Sequence, residues 1–137
     1  MVESVGYEGR TIEAFVADLT ARHVEVLVDV RLNAISRRRG FSKTALAKAL
    51  TAAGIEYRHL RALGNPKENR PAFGRDDVET GRAIYRELLD RPAAAVELQT
   101  LADLATTTKV AVMCFESDES RCHRKVIIDE LLTARVS

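Results

Sequence analysis

Tryptophan is absent from the 137 residues, and proline (3), cysteine (2) and methionine (2) are scarce. Two cysteines are too few for the disulfide scaffold of a small secreted domain, so reduced thiols are the expectation. Three prolines and seven glycines provide no Pro/Gly-rich linker, and there is no internal repeat or low-complexity tract. No apolar run approaches the roughly 18 residues of a membrane span. The start, MVESVGYEGR, lacks the basic head and apolar middle of a secretory signal. Together these absences predict one domain over residues 1–137, in the cytoplasm and without a membrane partner.

What is present is unevenly distributed. The net charge is only +1, yet residues 31–61 carry eight Lys and Arg against one acid, Glu56. That segment is +7 and leaves −6 for the rest of the chain. A basic stretch on an otherwise acidic protein suits an anionic small molecule or nucleic acid, or a solvated loop paired with acidic neighbours.

The apolar periodicity alternates between two kinds. VESVGY, VEVLVDVR, IEYRHL and KVAVMCF read as strands, the second and fourth buried on both faces. TIEAFVADLTARH has apolar residues at helical spacing with Thr11 as N-cap, and Ser42 is expected to cap KTALAKALTAAG, which Gly54 closes. DDVETGRAIYRELLD is helical with Gly81 as a weak point, AAAVELQTLADLATT follows Pro92, and SRCHRKVIIDELLTAR is the last helix. RALGNPKENRPAFG is a long connection, and over residues 61–75 an ordered lid, a mobile lid and plain disorder all stay open. The alternation predicts a three-layer α/β/α sandwich on a mostly parallel sheet of four or more strands, of the Rossmann or rhodanese-like class.

Ligands of such sheets bind beyond the carboxyl ends of the strands. The four segments that must lie there are GYEGR, RLNAISRRRGFSK, HLRALGNPKENR and CFESDESRCHR. They hold most of the residues capable of chemistry. Cys114 ends a strand, and Cys122 is placed in the first turn of the last helix, where helix N–H groups, His123 and Arg124 favour a thiolate. A nucleophile, a persulfide carrier, a reversible disulfide or plain packing all remain open for the pair. A metal would use Cys114, Cys122, His123 and a fourth ligand such as Glu116 or His59, but the C-x₇-C-H spacing lacks the tight ligand pairs of zinc sites, so neither metal nor cofactor is expected.

Arg124 can grip a carboxylate or phosphate, or form a salt bridge to Asp29 or Glu8, and His123 can exchange protons. His59 faces the same crevice. Strand periodicity puts Leu27, Asp29 and Arg31 on one face, where Asp29 is expected to hold a loop or an arginine. In SRRRGFSK, Gly40 allows close approach to an anion, Arg37 and Lys43 supply charge, and Phe41 offers a face for a base. The rival is internal pairing of Arg37, Arg38 and Arg39 with Glu116, Asp118 and Glu119.

The stretches SVGYEGRTIEAFVADL, VEVLVDVR, SRRRGFSKTALAKALTAAGIEYRHLRALGNPK and VAVMCFESDESRCHRKVIIDEL resemble the domain-of-unknown-function family DUF488 over nearly the whole chain. The resemblance implies a compact cytoplasmic α/β domain. It also implies site positions at Gly6, Tyr7, Glu8, Asp29, Arg31, Ser36, Arg37, Gly40, Phe41, Ser42, Lys43, His59, Leu63, Gly64, Cys114, Glu116, Cys122, His123 and Arg124. Gly6-Tyr7-Glu8 stands where the family pattern reads Gly-His-Ser, so a role needing that histidine or serine is not expected. A weaker likeness to the rhodanese sulfurtransferase domain implies Cys114 as the sulfur carrier, but the three acids and no glycine of CFESDES should repel the anion such a loop wraps.

Three functional readings follow. In the first, the pocket binds a phosphate-bearing metabolite, nucleotide or nucleic-acid end. In the second, a thiol-dependent enzyme, rhodanese-like or redox, uses Cys114 and Cys122. In the third, the chain is a non-catalytic nucleic-acid module.

Overall fold

The structure, a computed structural model, describes residues 2–74, 77–116 and 122–136. The strands are β1 (Val2–Gly6), β2 (Val26–Asp29), β3 (Glu56–His59) and β4 (Val110–Cys114). The helices are α1 (Ile12–Ala21), α2 (Lys43–Ala52), α3 (Arg70–Gly74), α4 (Val78–Leu89), α5 (Pro92–Thr107) and α6 (Arg124–Val136). The four strands form one all-parallel sheet in the order β1-β4-β2-β3, flanked by helices as a three-layer α/β class requires.

The two apolar runs take the two central positions. Every residue of β2 and β4 is buried, whereas edge strand β3 alternates exposed and half-buried residues and carries the outward pair Arg58–Glu56. Strand alternation divides the core. Val5, Leu27, Ala111 and Met113 pack with Phe15 and Leu19 of α1 and Leu46 and Leu50 of α2. On the other face Val26, Val28, Val110, Val112 and Cys114 pack with Tyr85 and Leu89 of α4, Leu101 and Ala105 of α5, and Val126, Ile127 and Leu131 of α6.

Register puts the strand ends side by side: Gly6 opposite Cys114, Asp29 opposite Met113 and His59. The chain leaves β1 and β2 toward helices on one face and leaves β4, which lies between them, toward α6 on the other. Neighbouring strands whose exits diverge open a crevice, and here it lies at the end of β4.

Local signals held in part. Thr11 Oγ1 accepts from Ala14 N (3.1 Å) as an N-cap should. Ser42 stands at the N-cap of α2 without capping it. Its hydroxyl instead accepts from Ser36 N (3.0 Å) and lies 3.2 Å from Ser36 O, closing the loop before the helix. Gly81 is a contact point: a Cβ there would lie 3.1 Å from Ala72 and from the Phe73 ring, so glycine lets α3 cross α4 closely.

The connection after β3 is not a lid over its described part. It forms two 3₁₀ turns and α3, and buries Leu63, Asn65, Asn69 and Phe73. Asn69 Nδ2 donates to Gly81 O and to Asn65 Oδ1, both at 2.9 Å, and Tyr85 Oη donates to Leu63 O. Over these residues the segment packs against the core as a wall.

Candidate functional site

At the end of β4 lies a cavity of about 430 Å³, a size typical of small-molecule sites. All four exit segments line it: Tyr7 and Glu8 after β1; Arg31, Leu32, Asn33 and Ile35 after β2; Asn65, Arg70 and Phe73 after β3; Cys114, Phe115, Glu116, Cys122 and His123 around the β4 exit. The exits are tied together. Glu8 N donates to Phe115 O (2.8 Å), and a Cβ on Gly64 would fall 2.4 Å from the Leu32 Cα, so the β2 and β3 exits touch only because residue 64 has no side chain.

One end of the crevice is a closed polar network centred on Asp29. Its Oδ1 accepts from Arg31 N (3.0 Å) and Nε (2.9 Å), and its Oδ2 accepts from Arg31 Nη2 (2.7 Å) and Tyr57 Oη (2.6 Å). Arg31 Nη1 then donates to Tyr7 Oη (3.1 Å) and Phe41 O (2.7 Å). Burial works against the Arg31 charge, but the Asp29 carboxylate raises its pKa above the ordinary value. Burial, then the bond to Asp29, also raises Tyr57. Asp29 does hold an arginine, as its strand position suggested, and four of the five N–H groups of the Arg31 guanidinium are bonded to the protein itself.

The same network corrects two expectations. Phe41 presents no face to a base. It is fully buried, stacked on Tyr7 at 4.4 Å and set edge-on to Phe15 at 5.3 Å. Gly40 does not serve an anion's approach either. It has φ +90°, and a Cβ would meet the Ile12 side chain at 2.7 Å, so it lets the loop lie on α1. Arg37 and Lys43 are exposed and are not among the residues lining the cavity, and Arg38 Nε is turned to Arg10 O. Of the acids expected to pair with that loop, Asp118 and Glu119 lie outside the described residues.

The other end is built on sulfur and imidazole. The structure joins Cys114 and Cys122 in a disulfide with Cα atoms 7.5 Å apart, in place of the expected reduced thiols. Cys122 precedes α6 instead of sitting inside its first turn, and Arg124 N lies 3.5 Å from its Sγ. Cys114 Sγ lies 3.2 Å from Arg124 Nη1 and 3.4 Å from Glu116 Oε2. Among the ion pairs of the described residues, neither salt bridge considered for Arg124 occurs. Its Nε donates to Ser4 Oγ (2.8 Å) and its Nη1 to Glu116 O (2.6 Å), so the side chain runs along the sheet end and is almost wholly buried.

Two histidines brace the β2 exit. His59 Nε2 lies 2.7 Å from Arg31 O, and His123 Nε2 lies 2.8 Å from Val30 O. A carbonyl only accepts, so each Nε2 carries the hydrogen. His59 is therefore a brace, and it does not line the cavity. His123 keeps a lone pair on Nδ1, which points at Cys122 Sγ from 3.5 Å. Burial, helped by the positive charges of Arg124 and Arg70 and opposed by the Val30 bond and Asp29, lowers its pKa to about 4. The ring is neutral at physiological pH.

Sequence reasoning did not single out Arg70, Phe73 and Asn65, which line the cavity, Tyr57, which donates to Asp29, or Tyr85, which packs edge-on to His123 at 5.1 Å. Arg70 could have been found, since it ends a segment already assigned to the strand ends. Phe73 and Tyr85 carry only the helical periodicity of core residues.

The family described as domain of unknown function DUF488 matches residues 11–131, and the chain belongs to it. Comparison with curated proteins and with solved structures returned no significant match.

Proposed function

We propose that this DUF488-family chain performs thiol–disulfide exchange at the Cys114–Cys122 pair on a substrate that enters the adjoining cavity. The observation that supports this reading is the pairing of two sulfurs on one cavity wall with different neighbours: Cys114 has a guanidinium N–H at 3.2 Å, nearer than the Glu116 carboxylate oxygen at 3.4 Å, and Cys122 has an imidazole lone pair. A cation beside a sulfur stabilises its thiolate and makes it the better leaving group.

The oxidising half-reaction then has a direction. A substrate thiolate attacks Cys122 Sγ, a mixed disulfide forms, the Cys114–Cys122 bond breaks, and the electron pair leaves on Cys114 beside Arg124. A second substrate thiolate displaces Cys122, giving a substrate disulfide and the chain's dithiol. The two substrate protons end on the chain's sulfurs, and reduced Cys122 donates its S–H to His123 Nδ1. The exposed side chains of Ile35 and Phe115 form an apolar lip at this opening, which suits a substrate with an apolar portion next to its thiol.

The test equilibrates the folded chain with glutathione mixtures of graded ratio and counts alkylated cysteines by mass. Oxidation that follows the ratio, with faster alkylation of Cys114 than of Cys122 at neutral pH, is the expected result. Arg124→Ala should remove that difference. Sulfurs that neither reduce nor label until the chain is unfolded would end this reading.

A second reading, an anionic small molecule in the same cavity, is favoured by Arg70, a cavity residue outside the Asp29 network. It predicts thermal stabilisation by a sugar phosphate or nucleotide that disappears in Arg70→Ala. No shift across such a panel counts against it.

A further inference from the structure

We infer that the reduced chain binds a thiophilic divalent cation of the zinc class through Cys114 Sγ, Cys122 Sγ and His123 Nδ1, with the fourth coordination position open to the cavity. The three ligand atoms lie within 4.8 Å of one another, and all three residues are buried. A tetrahedral ion with bonds of ~2.3 Å to sulfur and ~2.0 Å to nitrogen sets a sulfur and a nitrogen ligand about 3.5 Å apart and two sulfurs about 3.8 Å apart. Cys122 Sγ and His123 Nδ1 already stand 3.5 Å apart. The Cα atoms of the two cysteines are 7.5 Å apart, beyond the usual ~4.4–6.8 Å of disulfides, so the backbone leaves room for separated sulfurs around an ion.

The outer contacts fit as well. A metal-binding histidine almost always donates its second ring N–H to a carbonyl or carboxylate, which fixes the tautomer and aims the free nitrogen. His123 does this through Nε2–H to Val30 O at 2.8 Å. Each sulfur also has a nitrogen donor beside it, Arg124 Nη1 at 3.2 Å from Cys114 and Arg124 N at 3.5 Å from Cys122. Such donors stabilise ligand thiolates. Two thiolates and a neutral imidazole cancel the charge of a divalent cation, and the Arg124 guanidinium and Glu116 carboxylate beside Cys114 Sγ offset each other, so the buried site carries no net charge. The C-x₇-C-H spacing counts against a metal in the sequence because it lacks a tight ligand pair; here the end of β4 and the approach to α6 bring the three ligand atoms together.

The chemistry balances. A dithiol reductant gives two electrons and two protons to the Cys114–Cys122 bond and leaves as its own disulfide. Cation binding then expels the two thiol protons to solvent. Ion and disulfide therefore exclude each other, and the oxidation state of the pair decides whether the ion can bind. This inference rests on the exchange reading in one respect only, that the pair can be reduced.

The experiment uses the full chain, reduced with dithiothreitol, desalted without oxygen and titrated with cobalt(II) and then zinc(II), after a thiol count on the same sample. The expected result is stoichiometric cobalt uptake with thiolate-to-metal charge-transfer absorption and the visible bands of a tetrahedral site, both bleached by zinc. Cys114→Ser and Cys122→Ser should each lose part of the charge-transfer intensity. His123→Gln keeps an N–H for Val30 O but removes Nδ1, and should weaken binding by more than about tenfold, the loss that even an outer-shell partner brings. Two titrating thiols with no cobalt uptake, or uptake without charge transfer, overturn the inference and leave the exchange reading standing. A chain refolded from denaturant under reductant supplies the dithiol by another route. Cobalt binding there, with no reduction of the native pair, would sink the exchange reading alone.

Discussion

Two clusters close the carboxyl end of the sheet, and they use their polar atoms in opposite ways. Around Asp29, both carboxylate oxygens and the Arg31 guanidinium are turned on each other and on Tyr7, Tyr57 and the Phe41 carbonyl. Around Cys114, the sulfurs and His123 Nδ1 face one another on a cavity wall. The first cluster has the conspicuous charges and serves as scaffold. The second has modest polarity, and it is the one to which exchange is assigned by proposal. Net charge on a segment therefore says little about where a ligand goes, because a buried charge must first be matched by the protein.

The sharpest way to break that contrast is Asp29→Ala. It leaves the Arg31 guanidinium, 7% exposed, without its buried partner, a change that costs about 3–5 kcal/mol. Urea denaturation should show that loss, and Asp29→Leu combined with Arg31→Met should recover much of it. A loss under about 1 kcal/mol would mean that the Asp29 network is no more structural than a surface pair.

Acid should act on the sulfur end. His123 has a folded pKa of about 4, below its ordinary 6.5, so the unfolded chain takes up the proton first. The stability this neutral ring contributes is present above about pH 6.5 and is lost as pH falls toward 4, by about 3 kcal/mol in all. The charges facing it are Arg124, Arg70 and Asp29. Denaturation from pH 7 to 4 should be steeper for the wild type than for His123→Gln, whose amide does not titrate. Parallel curves would show that the ring is not the source of the slope.

Reducing the disulfide comes next. The bond closes a loop of sequence separation 8, so opening it should lower stability by about 2.5 kcal/mol through the freed unfolded chain. The Asp29 network is unaffected by thiol reagents, so the Asp29→Ala loss should be the same in oxidised and reduced samples. Unequal losses would show that the two clusters are coupled, as contacts between neighbouring sites often are.

The sequence made some of this readable. The runs of β2 and β4 announced themselves as buried parallel strands, and parallel order alone placed four exits at one end. Period two put Asp29 and Arg31 on one face, and their pairing follows. Cys114, Cys122 and His123 were conspicuous through their rarity. Other features depend on contacts between distant segments. Phe41 lies among basic and polar residues as a ligand-stacking ring would, yet it is buried because Tyr7 and Phe15, from other elements, enclose it. Ser42 has the residue type of an N-cap, but the Ser36 backbone competes for its hydroxyl. That the two sulfurs and His123 Nδ1 converge depends on the β4–α6 geometry, which spacing does not reveal.

The finest test of the contrast is Tyr57→Phe. Tyr57 comes from edge strand β3, and its hydroxyl gives Asp29 Oδ2 a second donor beside Arg31 Nη2. A hydrogen bond to a charged group contributes about 1.5–3 kcal/mol when buried. This one is only part-buried, so water can replace part of it, and the loss should be about 1 kcal/mol by urea denaturation. The ring stays, so no cavity opens. If the cluster is scaffold alone, thiol labelling of Cys114 and Cys122 should not change in this variant. Faster labelling of either cysteine would mean that the Asp29 end also sets the reactivity of the sulfurs, and the division between an internally bonded end and the end proposed for exchange would no longer hold.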